Sequence, residues 1–161
     1  MELEQLIREY LATGQLMQVA SSREAQPWQA HVWYAFSPDL KRLVFTSNKS
    51  RRHSADVRDN PMVSCAIVAI PLEGLGQKVR GLVLEGSASE AAGDDLDICY
   101  ELYASKWPNV RSMFSAQDIH QDATPMRMYD VRPTRFVLFD EEHYASSPRQ
   151  EYVVESDKSA D

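Results

Sequence analysis

The stretch RLVFTSNKSRRHSADVRDNPMVSCAIVAI, from Arg42 to Ile70, decides the fold of this 161-residue chain. Its β-forming residues 43–45 predict a strand that runs into a polar loop. Ser50 is a favourable N-cap for a short helix over residues 51–58, and the Asn-Pro pair that follows ends this helix because a residue before proline avoids the α conformation. The nearly continuous apolar run over residues 62–70 then predicts a buried strand.

The polar loop and the start of the predicted helix carry the residue types of an anion site. A helix N-terminus presents free N–H groups and the positive end of the helix dipole, which disfavours Arg51 and Arg52 there unless an anion is bound. Arginine can hold a phosphate through two parallel N–H bonds, and the hydroxyls of Thr46, Ser47 and Ser50 can bind the remaining oxygens. The alternatives are a solvated basic loop and a nucleic-acid patch. The net charge of −7 and the lack of other basic clusters argue against nucleic acid.

Length and composition predict a globular domain over residues 1–145, followed by a polar tail over 146–161 that is at least partly disordered from Ser156 onward. The pI near 5.1 favours a cytoplasmic protein, and no apolar run approaches the ~20 residues of a membrane span. Cys65 and Cys99 lie in apolar surroundings, which predicts buried free thiols rather than a disulfide or metal pair. The four histidines show no metal-ligand spacing.

The remaining periodicities predict strands joined mostly by short connections, with two longer helices. Apolar residues at 3, 6, 7, 10 and 11 mark one face of an N-terminal helix that ends near Gly14. Further strands are predicted over 15–21, 29–36 and 79–90, a helix over 94–107, a helical turn over 110–114, and a final strand pair over 126–140 bent at Pro133. Six strands with flanking helices imply a mainly β protein with a closed antiparallel barrel.

The quoted stretch resembles the core of the pyridoxamine 5'-phosphate oxidase-like, FMN-binding split-barrel family. The family pattern is a strand that ends in threonine, a polar loop, Ser-Arg-Lys or a variant, a short helix, Asn-Pro and a strand. QPWQAHVWYAF (Gln26 to Phe36) is similar to the family's second strand, and VRGLVLEGSASE (Val79 to Glu90) is similar to the strand with a G-x-A signature. The similarity spans roughly residues 1–140 in order.

The resemblance implies a six-stranded antiparallel split β-barrel that binds FMN. Thr46, Ser47, Ser50, Arg51 and Arg52 are then expected to hold the phosphate. The backbone of the second strand around Val32, Trp33 and Tyr34 is expected to border the isoalloxazine ring. The side chains of Trp33 and Tyr34 are expected to flank the ring, with core or dimer packing as the alternative. Arg80 is expected to reach the FMN phosphate or the ring edge, and the alternative is a solvated strand end.

This sequence departs from the family at two places. Arg52 replaces the usual lysine, and the C-terminal arginine segment with which true pyridoxamine phosphate oxidases bind substrate is not recognisable. The resemblance therefore implies an FMN-dependent oxidoreductase acting on an unknown small molecule, without the vitamin B6 reaction. The alternative is a non-catalytic module that stores or senses flavin, haem or a deazaflavin, with His31 and His53 as candidate haem ligands. A third alternative is a structural or interaction protein with an empty site.

A homodimer with the cofactor sites at its interface is also expected. Split-barrel flavin proteins typically pair in this way and complete each pocket with residues from the partner. Large apolar side chains would also leave an exposed patch on a monomer, and such patches mark contacts. The predicted patch comprises Trp33, Tyr34, Phe36, Tyr100, Tyr103 and Trp107. The alternative is a monomer in which the helix over residues 94–107 covers the barrel.

Overall fold

A computed structural model describes residues 2–156, in which seven strands form one antiparallel sheet and four α-helices lie outside it. The strands are β1 (Leu16–Arg23), β2 (Gln26–Phe36), β3 (Leu43–Asn48), β4 (Met62–Ile67), β5 (Arg80–Glu90), β6 (Met126–Asp140) and β7 (Arg149–Val153). The helices are α1 (Leu3–Thr13), α2 (Arg52–Asp59), α3 (Asp94–Lys106) and α4 (Ala116–His120), and a 3₁₀ helix (Pro108–Ser112) joins α3 to α4.

Six of the strands close into a ring, as predicted. The sheet runs β3-β2-β1-β4-β5-β6-β7, and β3 also pairs with the first half of β6. The second half of β6 diverges from β3 and pairs with β7 instead. This change of partner along one long strand makes the barrel a split one.

The seventh strand lies in the segment that was predicted as a polar tail. Residues 149–153 alternate between exposed and half-buried, so their sequence lacks the apolar signal of a core strand. Tyr152 packs its ring 6.5 Å from that of Phe136, and the backbone pairs with the free edge of β6. The predicted disorder at the chain end concerns mainly residues 157–161, which lie outside the described residues.

The prediction of a strand pair over residues 126–140 is wrong, because β6 is a single strand of 15 residues. The irregularity lies in β6 itself: Glu85 pairs with Arg135 and Gly86 with Pro133, so Thr134 is an extra residue that bulges β6. A Cβ at Gly86 would lie 2.2 Å from the carbonyl oxygen of Arg132. The glycine therefore allows the backbones to approach where proline has no N–H to donate to the ladder.

The barrel core is aromatic at its centre and is closed at one end by α1. Phe45 and Tyr129 are fully buried and stack with ring centroids 4.9 Å apart. The predicted apolar face of α1 is confirmed, since its buried residues are Leu6, Ile7, Tyr10 and Leu11.

Helix α3 and the 3₁₀ helix pack on the outside of β2, β3 and β6, and they remove most of the predicted exposed patch. Tyr34, Tyr100 and Tyr103 are buried within the monomer, and only Trp33 is strongly exposed, at 49%. Trp107 is half-buried because its indole Nε1 donates to the Tyr34 carbonyl oxygen at 2.9 Å. The patch prediction is therefore wrong in its composition.

Within residues 2–156, none of the helices combines the length and apolar character that a bilayer crossing requires.

Candidate functional site

A cleft of about 630 Å³ lies between the β2–β3 edge of the barrel and the α3–3₁₀ segment. Strand residues and the start of α2 form one wall, and the helical segment forms the other. The lining residues are His31, Val32, Trp33, Thr46, Ser47, Arg51, His53, Tyr103, Trp107, Asn109, Val110, Met113 and Met126. This volume is within the range of small-molecule sites, roughly 300–1,000 Å³.

The loop that leads into α2 is organised by an asparagine side chain. The Asn48 amide oxygen accepts from the Ser50 backbone N–H at 2.9 Å and from the Ser50 hydroxyl at 2.8 Å. The predicted N-cap role of Ser50 is therefore wrong, because its hydroxyl points back to Asn48. Arg51 occupies the N-cap position, and no side chain caps this helix end. The first-turn N–H groups of α2, which a helix cannot satisfy internally, are left without a side-chain cap.

Arg51 differs from every other arginine of the chain. The sequence contains twelve arginines, all of which lie within the described residues. Each of the others has an Asp or Glu carboxylate within ion-pair distance. No described carboxylate within residues 2–156 pairs with Arg51, which is exposed at the cleft wall. An unpaired guanidinium beside an uncapped helix N-terminus is an arrangement that binds an anion.

Two residues with side-chain hydroxyls line the cleft together with Arg51, and they differ in what they can donate. The Thr46 hydroxyl donates to the Arg127 carbonyl oxygen at 2.9 Å, so its single proton is not available to an anion. The Ser47 hydroxyl lies 2.7 Å from His53 Nε2. Burial and the nearby Arg51 charge lower the pKa of His53, and Asp56 only partly opposes them. The imidazole is therefore neutral at neutral pH.

Apolar and aromatic side chains from the strands and from the helical segment together form an aromatic wall along the rest of the cleft. Trp33 and Trp107 contact edge to face, with ring centroids 5.1 Å apart and planes at 70°. Met113 and Met126 also line the cleft, and their flexible thioethers adapt to flat ring systems. The cleft thus has a cationic, hydrogen-bonding end and an apolar, aromatic wall.

Within residues 2–156, no group of three or more histidine, cysteine or acidic side chains has the geometry to hold a metal ion.

A family model described as pyridoxamine 5'-phosphate oxidase matches residues 3–140. The chain belongs to the pyridoxamine 5'-phosphate oxidase family. The match covers all six strands of the closed ring, and β7 follows it. No curated protein sequence matches this chain.

Solved structures similar to this family member share its fold at low sequence identity. A haem-binding protein from Mycobacterium smegmatis aligns with a TM-score of 0.72 and 18% identity over 95% of this chain and 58% of its own. The haem storage protein HutZ from Vibrio cholerae aligns with a TM-score of 0.58 and 16% identity, over 95% of each chain. An FAD-binding protein from Mesorhizobium loti aligns with a TM-score of 0.63 and 16% identity, over 84% of this chain and 92% of its own. The chain thus spans less than two thirds of the Mycobacterium protein.

Of the residues that the sequence analysis assigned to the family's cofactor site, five line the cleft. They are Val32, Trp33, Thr46, Ser47 and Arg51. The structure brings them together because β2 pairs with β3 and α2 begins just after β3.

Two of the other predicted site residues lie beside the cleft but turn away from it. The Tyr34 side chain points into the barrel core, where its hydroxyl donates to the Leu11 carbonyl oxygen at 2.6 Å. Arg52 stacks 4.5 Å above the ring of Trp28, with Nε 3.7 Å from an Asp56 carboxylate oxygen. Ser50 also stays outside, held by the Asn48 contact described above.

Arg80 lines a different cavity, of about 220 Å³. Its Nε lies 3.5 Å from the buried Asp140 carboxylate, and its guanidinium faces the ring of Tyr10 at 5.8 Å. These contacts hold Arg80 near α1, away from the lining of the larger cleft.

The sequence analysis did not assign the helical wall of the cleft, which comprises Tyr103, Trp107, Asn109, Val110 and Met113. The apolar spacing of α3 marks Tyr103 and Trp107 as packing residues, and nothing in the sequence tells packing from lining. Met126 was also not assigned to the site, although it is the first residue of β6 and the register partner of Asn48 in β3. His53 was considered only as a haem ligand.

Proposed function

We propose that this protein binds FMN in the cleft and acts as a flavin-dependent oxidoreductase on a small molecule. The observation that carries the proposal is Arg51, the one arginine of the described chain without a carboxylate partner, at an uncapped helix N-terminus. FMN ends in a phosphate monoester, which carries close to two negative charges at neutral pH. It therefore matches the cationic end of the cleft, and a flat ring matches the aromatic wall.

The phosphate contacts follow from which groups have a proton to donate. Arg51 supplies a guanidinium fork, Ser47 supplies a hydroxyl, and the first turn of α2 supplies backbone N–H groups. Arg52 belongs to the same motif but is engaged with Asp56 and Trp28, so we assign the main charge interaction to Arg51.

The ring of the cofactor is proposed to lie against the edge of β2, near Val32 and Trp33. Bound FMN would supply the redox chemistry. The protein's part is to bind and orient the cofactor and to shield it from water with Trp33, Trp107 and the methionines of the cleft. The electron acceptor is proposed only as a small molecule.

Haem is the second candidate, in a protein without turnover. The observation that favours it is that His31 and His53 both line the cleft, and imidazole is a common axial ligand. The structural relatives that bind haem are consistent with it. His53 is engaged with Ser47, so His31 is the less constrained ligand.

We further propose a homodimer formed through the outer face of the sheet. Trp33 and Leu16 are register partners and are 49% and 42% exposed. Val83, 44% exposed, extends this apolar row on the same face of the sheet: it pairs with Ala66, which pairs with Gln18, two residues along β1 from Leu16. Because Trp33 belongs to both the row and the cleft, a second copy seated on this face would complete the site.

The free buried cysteines suit a reducing compartment, and we propose that the protein is cytoplasmic.

The test is an absorbance scan of the purified protein followed by titration with FMN, riboflavin and haem. FMN is expected to bind tightly and to give a flavin band near about 450 nm, whereas haem gives one near about 400 nm. Riboflavin, which lacks the phosphate, is expected to bind at least about tenfold more weakly, the effect of roughly one charge-assisted hydrogen bond. Equal affinity for FMN and riboflavin would contradict the phosphate assignment, and tight haem binding without FMN binding would replace it.

A further inference from the structure

The Tyr103 hydroxyl differs from the hydroxyl of every other buried tyrosine in the described chain. Within residues 2–156, the other buried tyrosines each bond through the hydroxyl to a partner inside the protein; they are Tyr10, Tyr34, Tyr100 and Tyr129. The Tyr103 hydroxyl makes no hydrogen bond within the same residues, although only 5% of the residue is exposed. Buried polar groups are as a rule hydrogen-bonded, so this hydroxyl requires an explanation.

The free hydroxyl of Tyr103 lies at the cleft rather than in the sealed interior. In the described part of the chain, the fully enclosed polar side-chain atoms that lack a hydrogen bond belong to aspartates and arginines, and the Tyr103 oxygen is not one of them. The oxygen therefore keeps a narrow contact with solvent. Because Tyr103 lines the cleft, this contact opens into the cleft.

The helical wall of the cleft holds Tyr103 in place. Trp107 follows one helical turn later, and its backbone N–H donates to the Tyr103 carbonyl oxygen at 2.9 Å. The Trp107 indole is in turn bonded to the Tyr34 carbonyl oxygen of β2. Burial raises the pKa of the Tyr103 hydroxyl to about 12, so the hydroxyl keeps its proton at neutral pH. The helical wall thus presents a fixed, uncharged hydrogen-bond donor to the cleft.

We propose that the Tyr103 hydroxyl is a specificity-determining donor, which binds a carbonyl oxygen or a ring nitrogen of the flavin. This inference rests on the proposed function, because it concerns the same cleft. It adds a second point of recognition: Arg51 binds the phosphate, and Tyr103 binds the polar edge of the ring.

The reason lies in what a bound ring does to the hydroxyl. A flat ring that fills the cleft covers the narrow opening at Tyr103 and displaces the water there. The hydroxyl then keeps a hydrogen bond only if the ring presents an acceptor, and a buried polar group without a partner costs free energy. The isoalloxazine ring carries carbonyl oxygens and ring nitrogens that accept hydrogen bonds. Tyr103 therefore favours such a ring over an apolar ring of the same size.

The experiment compares Tyr103→Phe with the intact protein in titrations of FMN and riboflavin followed by flavin fluorescence. The variant keeps the aromatic ring and removes only the hydroxyl. The affinities for FMN and for riboflavin are expected to fall by the same factor, about three- to tenfold, the effect of one neutral hydrogen bond. Arg51→Ala, by contrast, is expected to lower the affinity for FMN alone. Because the two side chains bind different ends of FMN, the double variant is expected to lose the product of the two factors.

Tyr100→Phe is the matched control. Tyr100 lies on the same helix, and its hydroxyl donates to the Phe114 carbonyl oxygen at 2.6 Å instead of facing the cleft. Loss of this bond is expected to lower the Tm by about 2–4 °C and to leave both flavin affinities unchanged. Tyr103→Phe is expected to keep the Tm of the intact protein, because it removes no hydrogen bond within residues 2–156.

A fall in riboflavin affinity of less than about threefold in Tyr103→Phe would overturn the inference. A Tm lowered as much as in Tyr100→Phe, or a failure to fold, would also overturn it, because the hydroxyl would then have a structural partner. If the intact protein binds FMN, each of these results leaves the proposed function standing. Absence of FMN binding by the intact protein refutes the proposed function and this inference with it.

Discussion

Replacing Arg51 by alanine tests the proposed site most directly, because the structure separates its role in binding from any role in stability. The guanidinium has no carboxylate partner within residues 2–156, so its removal leaves no buried charge unpaired. The free energy of unfolding without ligand is expected to change by no more than about 0.5 kcal/mol, as for other surface substitutions. Any loss of FMN affinity then reports on the contact itself.

The loss of affinity follows from the kind of bond that is removed. A hydrogen bond to a charged group contributes about 1.5–3 kcal/mol, which corresponds to an increase in Kd of roughly 10- to 100-fold. Riboflavin affinity is expected to change by less than about twofold, because riboflavin has no phosphate for Arg51 to bind.

Two further arginines of α2 serve as controls in the same fluorescence titration. Arg58, paired with Glu90 at 2.8 Å, lies away from the cleft, and Arg58→Ala is expected to leave the Kd unchanged. Arg52→Ala tests the sequence-based assignment of that residue. Because Arg52 is engaged with Asp56 and Trp28, we expect an increase in Kd of less than about fivefold, the scale of a surface ion pair. An unchanged Kd in Arg51→Ala, or a larger effect from Arg52→Ala, would refute the reasoning.

Three other outcomes are expected. Val83→Asp should convert the dimer to a monomer in light scattering, because it places a charge on the proposed dimer face. The control Ile98→Asp, at a similarly exposed position on α3, should leave the dimer intact. A dimer that persists in Val83→Asp would show that the protein does not pair through this face. Gly86→Ala should lower the free energy of unfolding in urea by about 1–3 kcal/mol, because the added Cβ would clash with the backbone of Arg132 and Pro133. An unchanged free energy of unfolding would contradict this close approach. Burial raises the pKa of both cysteine thiols to about 12, so at pH 8 a thiol reagent should label the unfolded protein and not the native one.

Local periodicity is enough to recover most elements of this fold. The face of α1, the strands of the ring and the extent of α3 follow from spacings of 3.6 and 2 residues, which the chain shows within single elements. The motif around Ser50, Arg51 and Asn60-Pro61 also locates the candidate anion site in the chain, because a loop that leads into a helix N-terminus brings its groups together without help from distant residues.

Which side chains face the cleft was decided only by tertiary contacts. Arg51 has the extended backbone of the N-cap and Arg52 is the first residue of α2, so the side chains of these two neighbours leave the chain in different directions. Contacts with Asp56 and Trp28 hold the Arg52 side chain away from the cleft, and Trp28 comes from β2, which is distant in the sequence. The sequence does not distinguish the two arginines, whereas in the folded chain Arg51 lines the cleft and Arg52 does not.

The same reason explains the elements that the sequence left undetermined. Strand β7 has no apolar signature of its own and exists because β6 leaves a free edge after it diverges from β3. The large aromatic side chains of Tyr34, Tyr100 and Tyr103 predicted an exposed patch, but the fold, including the packing of α3 on the barrel, buries them. The sequence determined the elements and the chemistry that they carry. The packing of elements distant in the chain decided which polar groups are left unpaired, and therefore where a ligand can bind.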